Sequence, residues 1–324
     1  MTTKKHNDNS MHSKHSTHSI HFSYELLLKH LVETDERFMV VTAENRAAIR
    51  NLPGQIGDRF IDTGITEQTM VGICTGLSLR GRIPIAHALA TFLTMRAFEF
   101  IRTDIGLGNL PVKLIGGFPG FLSEANGPTH QAIEDVSIMR GIPNMNVFCP
   151  ADEEDMLICL PEILKDSSPW YIRYNNPKAV YNHNRNFKKG KAEIISEGKD
   201  ITILVYGILF KQALEAKNIL EKAGFSVGLI NIRTPKPIDE NAIIKASKKS
   251  KLIVTIEDHF LTGGLYTIIA EIFLKNKITC NVLPFALKDK WFKPALLPDV
   301  IRFEGFTGEK IAKNISKELK KQRH

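Results

Sequence analysis

The sequence is poor in sulfur and in large aromatic anchors: 324 residues include 4 cysteines and 2 tryptophans. Cys74, Cys149, Cys159 and Cys280 lie far apart in apolar surroundings, and no two form a CxxC pair. That excludes a disulfide framework and a thiolate metal knuckle and leaves reduced core thiols. No run approaches the ~18 uncharged apolar residues that a bilayer-crossing helix needs, so no membrane span is expected. The first residues hold no apolar stretch of the secretory kind, and a cytoplasmic protein is expected.

Charge of one sign does not dominate either. Lys and Arg number 43 against 35 Asp and Glu, a net charge of +8. The basic residues gather at 188–191, at 245–251 and after Lys310, with no aromatic platform among them. Solvated helix faces explain this better than a nucleic-acid groove, and no nucleic-acid partner is expected.

What the chain does have is a globular balance, 43% apolar and 24% charged, at a length suited to about two domains of ~150 residues. Residues 1–20 are polar and contain His6, His12, His15 and His18. A disordered tail is expected there rather than a metal site. From residue 21 to 175, helical and strand patterns alternate. Apolar β-rich runs at 38–42, 83–89, 112–115 and 170–174 are separated by helical spacing at 67–80, 94–105, 131–140 and 153–164. Such alternation predicts an α/β domain with a parallel sheet covered on both faces. Residues 176–197 are polar, basic and aperiodic, and read as an interdomain linker. The alternation then resumes over 198–324, with strands expected at 201–205, 227–232, 252–257 and 279–283, giving a second α/β domain.

Several chemistry-bearing residues fall where strands end. Glu67 follows Gly64-Ile65-Thr66 at a strand-to-helix junction. It suits either a partner for the helix dipole or, in a dry setting, a proton relay, and position alone leaves both open. Phe92 follows a strand, and Asn126-Gly127-Pro128-Thr129-His130 forms a loop preceded by the glycine-rich stretch 116–120. His130 thus shares a rim with a carboxylate and a ring. In the second half, Glu257, Asp258 and His259 precede Gly263-Gly264 and a helix. Strand ends of this kind hold ligands in open α/β sheets. A turn whose charges face solvent or a subunit contact is the expected reading here.

Three stretches, DRFIDTGITEQTMVGICTGLSLRG, ATFLTMRAFEFIRTD and GPTHQAIEDVSIMRGIPNMNVFCPAD, resemble the pyrimidine-binding domain of transketolases over residues 22–175. VYGILFKQALEAKNIL, INIRTPKPID and TIEDHFLTGG resemble the C-terminal domain of the same family. The resemblance implies thiamine diphosphate as cofactor. It also implies a split enzyme, because the GDG motif that holds the diphosphate and Mg2+ in that family is absent here. A separately encoded N-terminal subunit would supply those ligands, this chain none of the metal's, and two copies of each would form a heterotetramer acting on small sugars.

By the same resemblance, Glu67 hydrogen-bonds the aminopyrimidine and favours the tautomer that deprotonates the thiazolium. Phe92 stacks on that ring, Leu89 replaces a second aromatic of the pyrimidine pocket, and Glu44 falls near a family aspartate beside the cofactor. His130 contacts the substrate, Arg173 grips a sugar phosphate, and Asn126 stands where many members carry aspartate. Phe118 falls near the position of a phosphate-binding histidine, and no arginine precedes Arg37. The acceptor is therefore expected to differ from an ordinary pentose phosphate, for example a nucleotide-linked or an unphosphorylated sugar. The alternatives are a deoxyxylulose phosphate synthase-like or 2-oxo acid dehydrogenase β-subunit-like reaction, and a non-catalytic interaction subunit.

Overall fold

A computed structural model describes residues 23–321; the expected tail at 1–20 lies outside the described residues. The first half runs α1 (Tyr24–Thr34), β1 (Phe38–Thr42), α2 (Pro53–Ile56), β2 (Phe60–Asp62), α3 (Glu67–Leu79) and β3 (Ile83–Leu89). A helical run over 92–106 follows, in which α4 (Phe98–Phe100) is flanked by wider π turns. Then come β4 (Lys113–Gly117), α5 (Asp135–Arg140), β5 (Asn146–Phe148), α6 (Glu153–Lys165) and β6 (Trp170–Arg173). The second half contains β7 (Glu193–Ser196), β8 (Ile201–Val205), α7 (Phe210–Lys222), β9 (Val227–Asn231), α8 (Glu240–Lys249), β10 (Leu252–Phe260) and α9 (Leu265–Lys275). It closes with β11 (Val282–Leu287), α10 (Leu297–Phe303) and α11 (Gly308–Lys321).

The first sheet is wholly parallel, ordered β2-β1-β3-β4-β6-β5. Its central strands are buried end to end, which is why they read as unbroken apolar runs. The order reverses direction between β1 and β3, so a crevice opens at their carboxyl ends. The second sheet, β11-β10-β8-β9-β7, is parallel except for the antiparallel edge strand β7. At the tail, α11 lays Ile311, Ala312, Ile315 and Leu319 against the second core, its lysines facing outward.

The expected linker needs correction. Its last residues form β7, and His183 within it is buried. A polar sequence looked like loose chain because the charges that neutralise it come from elsewhere in the fold. His183 lies 3.0 Å from Asp152 Oδ2 and 2.8 Å from Glu193 Oε2. The Arg233 side chain donates from Nε to Asp155 Oδ1 at 2.6 Å. Asp152 also caps α6, accepting from the backbone N–H of Asp155. This cluster joins the first domain, the connector and the second sheet.

Burial opposes the His183 charge, but the carboxylates around it prevail and push its pKa from 6.5 up to about 10. A raised folded-state value stabilises fully below the unfolded value and is lost as pH climbs through the folded one. Equilibrium denaturation should therefore show a contribution that fades between pH 6.5 and about 10. His183→Gln should flatten that part of the profile, and an unchanged slope would contradict the assignment.

Candidate functional site

Glu67 opens α3, directly after the turn that leaves β2, and its side chain is only 2% exposed. Burial of a carboxylate is costly unless it is paired. The partner is Arg96, whose Nη1 donates to Glu67 Oε2 at 2.8 Å. Arg96 sits one turn after Phe92, and its guanidinium lies over that ring, 4.2 Å from the centroid. The Phe92 ring in turn meets the His130 imidazole edge-on at 5.1 Å. His130 ends a short turn over Pro128–His130, and its Nδ1 is 3.0 Å from Thr129 Oγ1. Glu67, Phe92 and His130 are thus brought together at the carboxyl edge of the first sheet.

Arg96 was not among the residues singled out from the sequence. The available signal was a basic side chain at i+4 from an aromatic on a helical run. Its planar guanidinium stacks on a ring and donates to a buried carboxylate. Those are the two contacts that a planar aminopyrimidine needs, so the residues present fit such a group.

The other expected residues separate into three cases. Leu89 ends β3, half-buried and paired in register with Gly117. Glu44 is exposed just past β1, with φ 62° and its backbone N–H donating to Asp62 Oδ1. Asn126 is exposed and lines a cavity that Glu67, Phe92 and His130 do not line.

Arg173 requires correction. The structure does not present it to a sugar phosphate; its side chain is buried in the seam between the domains. Nε and Nη2 donate to the two carboxylate oxygens of Asp135 at 2.9 and 3.1 Å, and Nη1 donates to Asp258 Oδ1 at 2.6 Å. Tyr171 Oη also donates to Asp135. With two carboxylates on it, the guanidinium has no charge left to offer a substrate anion.

The same seam corrects the expected fate of Glu257, Asp258 and His259, all three of which are buried. Glu257 caps α9, accepting from the N–H groups of Leu265 and Tyr266. The cap requires Gly264, where a Cβ would come within 2.0 Å of Glu257 Oε2. Burial raises the Glu257 pKa to about 7. Asp258 Oδ2 accepts from Phe121 N–H, and Gly120 leaves room for it, since a Cβ there would approach to 1.8 Å. His259 Nε2 accepts from Ser137 N–H. The charges face the first domain and fix its 120–137 stretch, which carries Asn126 and His130.

Asp155, His183 and Glu193 come close enough together to suggest a metal site. Arg233 already pairs with Asp155, and His183 is held protonated, so the donor set suits internal cations rather than a metal ion.

Residues 18–180 match the transketolase pyrimidine-binding domain model, and residues 190–311 match the transketolase C-terminal domain model. A 6-deoxy-6-sulfo-D-fructose transketolase subunit from Clostridium sp. is 36% identical over 78% of this chain and 80% of its own length. A putative transketolase C-terminal section from Methanocaldococcus jannaschii is 34% identical, covering 82% of this chain and 84% of its own. The 1-deoxy-D-xylulose-5-phosphate synthase of Dictyoglomus thermophilum is 34% identical over 90% of this chain, which spans 48% of that enzyme. A solved split-gene transketolase, described as an inactive β4 tetramer, superposes with TM-score 0.81 at 30% identity, covering 90% of this chain and 95% of its own.

Replacing Arg173 with Met would leave two buried carboxylates facing each other without their cation. The expected loss is about 3–5 kcal/mol in urea denaturation. A loss below about 1 kcal/mol, the range of a surface pair, would contradict the seam as described.

Proposed function

The chain belongs to the transketolase family, and on that premise we propose that it is the pyrimidine-binding subunit of a split, thiamine-diphosphate-dependent transketolase. The observation that carries the proposal is the convergence of Glu67, Phe92 and His130 on one spot. Relatives of similar length, two of them named as transketolase subunits or sections and one solved as a split-gene enzyme, support the division into two chains. A separately encoded partner would hold the diphosphate and Mg2+, and two copies of each chain would form a heterotetramer. Among the described residues no helix is long and apolar enough to cross a membrane. A cytoplasmic enzyme fits that and the free thiols.

When bound, the cofactor supplies the nucleophilic carbon that cleaves a ketose beside its carbonyl and passes a two-carbon unit to an aldehyde or ketone. This chain's residues hold it and manage protons. Glu67, paired in the free chain with Arg96, would hold a ring nitrogen of the cofactor through its buried carboxylate, which water does not reach. Phe92, which stacks on the Arg96 guanidinium in the free chain, would hold the plane of that ring. His130, exposed enough to reach a substrate, contacts the hydroxyls of the sugar. The sugar itself is a non-standard one, because Arg173 is consumed in the seam and Phe118 stands where a phosphate ligand was expected. No observation favours a nucleotide-linked sugar.

A second reading has specific support: the deoxyxylulose phosphate synthases also match along most of this chain. That reaction consumes pyruvate and releases carbon dioxide, whereas ketol transfer does neither.

Glu67→Gln in the reconstituted pair should lower the rate of ketol transfer by roughly 100-fold or more, the scale of a lost proton-transfer group. An unchanged rate would favour the non-catalytic interaction subunit. Carbon dioxide release from pyruvate would favour the synthase reading.

A further inference from the structure

Glu67 and Phe92, the two residues that would take the cofactor's pyrimidine, are engaged in the free chain by a single side chain. Arg96 Nη1 donates to Glu67 Oε2 at 2.8 Å, and the same guanidinium lies over the Phe92 ring, 4.2 Å from its centroid. Among the described residues, Arg96 is the only side chain bonded to the Glu67 carboxylate, and Glu67 and Phe92 are the only side chains that Arg96 engages. A guanidinium is planar, carries N–H donors along its edge and stacks on aromatic faces. An aminopyrimidine stacked on Phe92 and bonded to Glu67 asks for the same ring and the same carboxylate.

The two halves of the ion pair differ in burial. The Glu67 side chain is 2% exposed and the Arg96 side chain 40%. The cation can therefore turn out to water at little cost in hydration, whereas the carboxylate cannot. The backbone beneath it is a wider π turn over Phe92–Arg96, in which the Ala97 N–H donates to Phe92 O at 3.3 Å. Such turns gather at functional sites. This one carries Arg96 on the same face as the Phe92 ring. Leu93, Thr94 and Ala97 anchor its other face in the core, and Thr94 Oγ1 donates to Ala90 O at 2.8 Å. Movement is thereby confined to the Arg96 side chain.

We infer that Arg96 is a placeholder for the cofactor's pyrimidine, and that its departure from Glu67 and Phe92 sets the affinity for the cofactor. The inference rests on the transketolase reading above and adds how the site is kept before the cofactor arrives. In the free chain the guanidinium keeps a buried carboxylate paired, which would be costly to leave alone. Because one side chain holds both residues, Glu67 and Phe92 are released together when it swings out. A protein whose binding-competent form is a minor one binds with an affinity reduced by that fraction. Removing the placeholder therefore tightens binding.

The test is calorimetric titration of thiamine diphosphate with Mg2+ into the reconstituted pair, with wild-type, Arg96→Ala and Arg96→Lys forms of this chain. Arg96→Ala should lower Kd by about tenfold or more, while lowering the melting temperature of the cofactor-free pair. Arg96→Lys keeps the charge but not the plane, and should fall between the two. Tighter binding by a protein that is less stable without cofactor is a result that a merely structural arginine does not give. Should Arg96→Ala fail to assemble, a Kd for Arg96→Lys below that of the wild type supports the inference, and an equal or higher one overturns it. Weaker binding by Arg96→Ala would make Arg96 a cofactor ligand, and unchanged binding would put the ring elsewhere. Either overturns the inference and leaves the transketolase reading standing. No binding by the wild-type pair overturns both.

Discussion

The site depends on one buried guanidinium. Arg173 ends β6 of the first sheet, and its three donor nitrogens bind Asp135 at the start of α5 and Asp258 in β10 of the second sheet. Asp258 in turn holds Phe121 N–H, and the Phe260 N–H reaches Ile133 O from the same strand. The 120–135 segment that carries Asn126 and His130 is therefore pinned at both ends by the second domain. This gives the second domain a part in the site although it contributes no side chain to the Glu67–Phe92–His130 cluster.

A buried ion pair of this kind is weak evidence for added stability, because desolvation offsets much of the attraction. What it supplies is geometry. A guanidinium fork bidentate to one carboxylate and bonded to another fixes the angle between the elements that carry them. The second sheet also has a strand-order reversal, between β8 and β10. The crevice there is occupied by this seam, with Arg173 lying 5.6 Å from the centroid of the Tyr206 ring. Of the two crevices where open α/β sheets hold ligands, the one in the second sheet is closed by protein.

Much of the fold was legible because buried parallel strands are continuous apolar runs. β1, β3 and β8 have the bounds that the sequence pattern predicts. The π turns of 92–106 were not legible, since apolar spacing does not separate them from ordinary helix. β7 was missed because Glu193 is buried by pairing with His183 and Arg233, and no local pattern announces partners that distant. Arg173 illustrates the same limit. Its carboxylate partners lie 38 and 85 residues away, so a resemblance in its own strand suggested a substrate ligand. Glu67, Phe92 and His130 were legible because each follows a strand of one parallel sheet, and that topology gathers such residues on one edge.

The central claim is that this chain supplies the pyrimidine half of a cofactor site that a second chain completes. The direct measurement is calorimetric titration of thiamine diphosphate with Mg2+ into this chain, into the candidate partner and into the reconstituted pair. Tight binding by the pair alone is the predicted result. Equally tight binding by this chain by itself would contradict the division of the site between two chains.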